Sequence, residues 1–486
     1  MKFLNKEDIN KKSKEFYNHE KLRWRNNFHF EAPFGLINDP NGLCQYNGEY
    51  YIFFQWNPYS CEHKYKHWGY VKTKDFKNFS IPKMAIAPEE YYDKNGCYSG
   101  GAFIKDGEIN LFYTGNVKGD LGERISYQCM AKVEDGEVRK FGTVIDKLPK
   151  GYTAHFRDPY IFEEDNKYYM ILGIQREDLK GRAIIYKSDN LEKWELKGEL
   201  KTNYDDFGFM WECPSLFNLN GTDVLIFSPQ GLKSEEFKYQ NLYQSGYIFG
   251  NLNYETLELE NHSEFKELDK GFDFYAPQVF KDEKDRTLMI GWMGVPEGEE
   301  YHKSKDDGWI HSLTMPRELT FKEGVIYQNP IKEIESLRGE KLVNKKDLIT
   351  KSMELDEIKE NSYELKLEFN PLEYSKFQLK FMQSEEENIS LTYDSKEEVC
   401  VIDRSLMKYG AKDKRKFKIG CKNGSLKINM FVDKSAIEIY FNDGEEVASI
   451  RAYPEKNSFG VSLSSEREII IKSLEVWNMN EVSYCE

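Results

Sequence analysis

The sequence predicts an all-β protein, a five-bladed β-propeller over residues 28–340 followed by a β-sandwich over residues 345–486. Three observations carry this expectation. An apolar strand recurs at intervals near 60 residues, short strands of strict two-residue alternation follow residue 345, and aromatic residues make up 15% of the chain. Aromatic side chains favour sheets and surfaces that stack on sugar rings. At 486 residues the chain also exceeds what one hydrophobic core supports, so two domains are expected.

Residues 1–27 read as a helical extension, because residues 5 to 24 are polar and charged in the manner of a short surface helix. The repeat then begins. Its strands are Tyr50–Phe54, Ile109–Tyr113, Tyr168–Leu172, Val224–Phe227 and Leu288–Trp292, with centres spaced by 59, 59, 56 and 64 residues. Four follow a hairpin pair: Asn47-Gly48, Asp106-Gly107, Asp165-Asn166 and Asn220-Gly221. Units of this length hold four short strands each, as propeller blades do, although a β-rich domain with accidental spacing shares the pattern. Beyond residue 345, Tyr363–Phe369, Ile389–Tyr393, Lys427–Val432 and Ile437–Phe441 alternate as a two-sheet sandwich requires, and Asn442-Asp443-Gly444 closes a hairpin.

A formal charge of −15 argues against nucleic acid as a partner. The first residues contain no apolar run of signal-peptide type, and no stretch approaches a membrane span, so a cytoplasmic protein without a membrane partner is expected. The eight cysteines, at 44, 61, 97, 129, 213, 400, 421 and 485, show neither Cys-x-x-Cys pairs nor zinc spacing and read as reduced thiols. No metal or other cofactor is expected. Oligomeric state is left open.

Twelve to fourteen residues before each repeat centre lies a short polar segment: Asn38-Asp39-Pro40, Tyr98-Ser99-Gly100, Arg157-Asp158-Pro159, Glu212-Cys213-Pro214 and Tyr275-Ala276-Pro277-Gln278. If the repeated strand is second in its blade, these segments form the innermost strands. Asp39, Asp158 and Glu212 then converge on one funnel. Asp39 alone also reads as the capping residue of a surface turn, and Glu212 alone as a structural acid. Three carboxylates around one pocket repel one another and resist ionisation, which drives their pKa values apart. Trp211 and Cys213-Pro214 give Glu212 an apolar setting that favours its neutral form, while the turn amides beside Asp39 favour the anion. Paired carboxylates in opposite protonation states are the requirement for glycoside hydrolysis.

Nine segments together resemble glycoside hydrolase family 32, the β-fructosidases: Asn38–Gly42, Phe53–Pro58, His67–Gly69, Tyr98–Gly100, Phe156–Pro159, Trp211–Pro214, Phe274–Gln278, Gly291–Met293 and Leu313–Leu319. They occur in the family's order. The resemblance implies a propeller carrying the site, a C-terminal sandwich, and a retaining hydrolase of sucrose 6-phosphate or sucrose acting through a covalent fructosyl-enzyme. It implies Asp39 as nucleophile, Glu212 as acid/base and Asp158 as transition-state stabiliser. In a retaining enzyme two of the carboxylates stand about 5 to 5.5 Å apart. By position, Asn38, Gln55, Ser99, Arg157 and Trp292 are expected to line the fructosyl subsite, with Tyr98 and His63 as further substrate-binding candidates. Gln55 and Ser99 also read as strand packing, and Trp68 and Tyr275 as either substrate contacts or core aromatics.

Two departures from the family pattern stand out. Leu36 replaces a tryptophan frequent before the Asn-Asp pair, and His63 replaces another in the substrate-binding region. His63 lies in Glu62-His63-Lys64-Tyr65-Lys66-His67, a basic stretch on an acidic chain. Lys64, Lys66 and His67 are therefore candidates for binding a phosphate on the glucosyl half of the substrate; the same stretch also reads as a solvated loop. A levanase or inulinase acting on fructan and a non-catalytic sugar-binding propeller are the alternative functions. The Asp433–Glu438 and Asn442–Glu445 segments resemble the family's C-terminal module, in which packing against the propeller is favoured over sugar binding.

Overall fold

The computed structural model describes residues 5–17, 22–371 and 374–485. Near the N-terminus a short helix spans Lys6–Phe16, and residues 18–21 of the expected extension lie outside the described residues. The Asn5 side chain accepts a hydrogen bond from Asp8 N at 2.9 Å, capping the first turn. Ile9 is fully buried among apolar residues that include Phe34, and Asn10 Oδ1 accepts from Met84 N at 2.8 Å, so the helix is docked on the first sheet.

Beyond this helix the described residues form β-strands with three short 3-10 turns, in a propeller-like arrangement followed by a β-sandwich. Among the described residues, five consecutive sheets precede residue 331, each begun by an inner strand paired with a longer, apolar second strand. The inner strands are Gly35–Tyr46, Cys97–Tyr98 with Ala102–Lys105, Tyr152–Glu164, Met210–Leu219 and Tyr275–Lys281. The second strands are Glu49–Asn57, Glu108–Lys118, Lys167–Arg176, Thr222–Gln230 and Thr287–Met293, each containing one of the recurring apolar segments. Large buried side chains fill the space between neighbouring sheets, as where Phe53 and Trp68 of the first meet Leu111 and Tyr113 of the second.

Distant parts of the chain cover both edges of the first sheet. Trp309–Ile310 pairs in parallel with Gly35–Leu36 on the inner side. Ser483–Cys485 pairs in parallel with Asn78–Ser80 on the outer side, and Tyr484 stacks on Tyr17 with ring centroids 4.2 Å apart.

The sandwich is one continuous ladder that turns over on itself. The strand Gly460–Met479 pairs through residues 460–465 with Lys376–Gln383 and through residues 469–478 with Ser362–Pro371. Residues 466–468 bridge the two layers. Leu379, Leu391 and Ile402 from one layer share a core with Ile428, Ile439 and Ile450 from the other.

Buried charges join the sandwich to the sheets before it. Asp433 accepts from the backbone amides of Asn27, Phe28 and His29 and from His29 Nδ1 at 2.9 Å. Glu438 lies 3.1 Å from His29 Nε2 and accepts from Arg317 Nη2 at 2.7 Å. Asp433 and Glu438 are thus spent on packing.

Candidate functional site

The inner strands break register where the candidate residues lie. Gly35–Tyr46 slips against its partner between Ile37 and Pro40, Tyr152–Glu164 between Arg157 and Tyr160, Met210–Leu219 between Glu212 and Ser215, and Tyr275–Lys281 between Tyr275 and Gln278. Each slip contains a proline or ends on one, and proline cannot donate to the ladder. Asp158, Cys213 and Ala276, each preceding a proline, have φ of 65°, 49° and 48°. Such a conformation costs a non-glycine residue about 1–3 kcal/mol and persists only where the surroundings enforce it. In the second sheet the inner strand is split, with Ser99-Gly100-Gly101 between its halves. A bulge re-aims the side chains beside it.

Around Asp39 these side chains form a connected group. Asn38 Nδ2 donates to Asp39 Oδ1 at 2.9 Å and to Gln55 Oε1 at 2.8 Å. Gln55 Nε2 donates to Ser99 Oγ at 2.8 Å, and Ser99 Oγ donates to Asp39 Oδ2. Lys66 Nζ donates to Asn38 Oδ1 at 2.6 Å. Burial pushes the Asp39 carboxyl above its ordinary pKa; the Ser99 hydrogen bond and the Lys66 charge oppose this, while Glu212 adds to it.

Glu212 occupies a second group. Arg157 donates to its Oε1 through Nε at 3.0 Å and Nη2 at 2.5 Å. Its Oε2 accepts from Tyr275 OH at 2.7 Å and Gln230 Nε2 at 2.8 Å. The apolar setting expected for Glu212 is therefore absent: its neighbours in sequence are apolar, but those in space are an arginine, a tyrosine and an amide. Asp158 connects the two groups. Its Oδ2 accepts from Cys213 N at 3.0 Å and lies 3.9 Å from Arg157 Nε, while the Cys213 thiol is 3.7 Å from Asp158 Oδ2 and 3.9 Å from Asp39 Oδ2. Burial raises the Asp158 pKa strongly, Arg157 opposes the rise, and Glu212 and Asp39 increase it.

Other candidates are divided. Tyr275 and Trp292 share a buried aromatic cluster with Cys213, and the His63 ring lies 5.4 Å from Trp292. Burial and the Lys66 charge lower the pKa of His63, keeping it neutral. Trp68 does not line the funnel: it is fully buried between the first two sheets, where its Nε1 donates to the Tyr98 carbonyl at 3.0 Å. Lys64, Lys66 and His67 do not form one cluster. Lys64 is exposed and paired with Glu62 at 3.3 Å, Lys66 is buried beside Asn38, and His67 Nδ1 contacts the Tyr65 carbonyl at 2.5 Å. Leu36 is buried with Cys61 and Ile310 and provides no wall.

An aromatic side is instead supplied by Phe209 and Tyr243, whose rings are 6.2 Å apart, with Tyr243 6.1 Å from Tyr275. Sequence reading missed these two, together with Gln230 and His155. Gln230 carries a weak signal as the polar end of an apolar strand; the others come from loop and cross-sheet placement that no spacing reveals.

Carboxylates gathered by the inner strands of a propeller-like domain, joined to a β-sandwich, define a glycoside hydrolase, of the β-fructofuranosidase type. The description "Glycosyl hydrolases family 32 N-terminal domain" matches residues 29–330, and "Glycosyl hydrolases family 32 C terminal" matches residues 333–478. The chain belongs to glycoside hydrolase family 32. It is similar to the sucrose-6-phosphate hydrolase of Bacillus subtilis (strain 168), 41% identical over 447 residues that cover 91% of each chain. The sucrose-6-phosphate hydrolase of Staphylococcus xylosus is 39% identical, covering 91% of this chain and 90% of its own. Among solved structures, sucrose-6-phosphate hydrolase from Lactobacillus gasseri superposes with a TM-score of 0.87 at 28% identity, covering 98% of this chain and 97% of that one. The Bombyx mori GH32 beta-fructofuranosidase superposes with a TM-score of 0.85 at 29% identity, covering 99% of each chain.

Proposed function

We propose that this protein hydrolyses sucrose 6-phosphate, and also sucrose, with retention of configuration through a covalent fructosyl-enzyme. The observation that carries the reading is the separation of Asp39 and Glu212 into two hydrogen-bonded groups linked by Asp158. An Asp39 oxygen attacks the anomeric carbon of the fructosyl ring as that carbon's bond to the glycosidic oxygen breaks. Glu212, which must carry a proton when substrate is bound, gives it to the departing oxygen. The Glu212 carboxylate then takes a proton from water, whose oxygen displaces Asp39 from the anomeric carbon and releases fructose. Asp158 accepts from fructosyl hydroxyls, and Asn38, Gln55, Ser99, Arg157 and Trp292 hold the ring.

Relatives that bear the name sucrose-6-phosphate hydrolase at 39–41% identity support this substrate. The fructan 1-exohydrolase of Cichorium intybus is 21% identical and speaks for the fold alone. The reading includes five blades over residues 28–340, a sandwich over residues 345–486, and a cytoplasmic address where a phosphorylated disaccharide is made. No helix among the described residues is long and apolar enough to cross a membrane.

The test is kcat/KM for sucrose 6-phosphate and for sucrose, measured side by side with released fructose as the readout. We expect a preference of about tenfold or more for the phosphorylated sugar, about 1.4 kcal/mol of transition-state discrimination. Equal values would reduce the protein to a general β-fructofuranosidase.

A further inference from the structure

The strand Arg124–Glu134 begins where the second and third sheets meet, its Ser126 Oγ donating to the Ala154 carbonyl at 2.9 Å. There Arg124 Nη1 lies 3.3 Å from His155 Nδ1, and Arg157 Nη1 lies 3.0 Å from the same nitrogen. Two guanidinium groups, which can only donate, converge on one imidazole nitrogen, so that nitrogen is the acceptor and the proton of the neutral ring is on Nε2. Burial and both arginines lower the His155 pKa to about 4, which keeps the ring neutral.

The charges here are unbalanced. Arg157 is compensated by Glu212. Arg124 is exposed and forms no ion pair among the described residues, and the adjacent Glu123 carboxylate is turned back on its own loop to accept from Leu121 N at 3.0 Å. Exposed beside an arginine that is already paired, Arg124 is free to donate to an anion. A guanidinium presents paired donors that match phosphate oxygens.

The position identifies the side of the substrate. His155 touches Arg157, which holds Glu212, so the cluster borders the acid that protonates the departing oxygen. A phosphate on C6 of the leaving glucosyl unit would extend to this rim. We propose that Arg124, together with His155 Nε2–H, binds the phosphate of the glucosyl half, in place of the Lys64, Lys66 and His67 stretch whose members are engaged elsewhere. This inference rests on the substrate reading above.

Arg124→Gln tests it, with kcat/KM determined for sucrose 6-phosphate and sucrose on wild type and variant. We expect the variant to lose at least tenfold on the phosphorylated sugar, mainly through KM, and to keep its sucrose value within twofold. Glucose 6-phosphate should inhibit wild-type sucrose turnover at least tenfold more strongly than glucose, and that margin should vanish in the variant. Wild-type discrimination that survives in Arg124→Gln, or an equal loss on both sugars, overturns the Arg124 assignment alone. A wild type that does not distinguish the two sugars overturns the substrate reading, and this inference with it.

Discussion

Asp39 and Glu212 are distinguished by the cations beside them. Lys66 reaches Asp39 through Asn38, whereas Arg157 grips Glu212 directly. A carboxylate backed by an amide, a hydroxyl and a distant ammonium keeps an open lone pair for attack, and an amide in its place has none. Asp39→Asn should therefore lower kcat by on the order of 10⁴-fold or more while leaving the melting temperature close to that of the wild type. Released fructose and thermal melts on the same preparation check this, and turnover near the wild-type level would remove Asp39 from the nucleophile's role. That the three carboxylates would gather was legible in the sequence because each lies twelve to fourteen residues before the centre of a recurring apolar strand. The use made of Lys66 was not, since its partner Asn38 lies 28 residues earlier and only the fold brings them together.

At the scale of single elements, hairpins were more legible than bulges. Asn47-Gly48, Asp106-Gly107, Asp165-Asn166 and Asn220-Gly221 all have positive φ at both residues, as the tight turn between antiparallel strands demands, and these residue types announce it. The register slips at Asp39, Asp158 and Glu212 left only an X-Pro pair as a trace. The break in the second sheet depends on Gly100. A Cβ there would stand 1.9 Å from the Phe112 carbonyl oxygen, so the inner chain approaches its neighbour at a distance only glycine permits. Gly100→Ala should destabilise the fold by about 3 kcal/mol or more and displace Ser99 from Asp39. Chemical denaturation together with kcat measured well below the melting temperature would report both effects.

Across the whole molecule, the two domains are joined by charges that water does not reach. Burial alone would lower the His29 pKa, but hydrogen bonds and charges from Asp433 and Glu438 prevail and raise it from 6.5 to about 9. Burial alone would raise that of Glu438, yet Arg317 and His29 hold it down at about 2, against an ordinary 4.5. The raised histidine contributes stability that is complete below pH 6.5 and lost as pH climbs through 9; the depressed glutamate contributes stability that is complete above pH 4.5 and lost as pH falls toward 2. Melting temperature should therefore be highest between these limits, and His29→Gln should flatten the alkaline slope; a slope unchanged in the variant would refute the assignment. Packing of the sandwich against the propeller was anticipated from the Asp433–Glu438 segment, but the partners were not, because Asp433 and His29 are 404 residues apart. The same separation governs the order of manufacture. Ser483 and its partner Asn78 are 405 residues apart, so the outer edge of the first sheet stays open until residues 483–485 have been made. The edge at Asn78–Ser80 is thus closed by a pairing of very long sequence separation, the kind of contact whose loop-closure cost makes it slow to form.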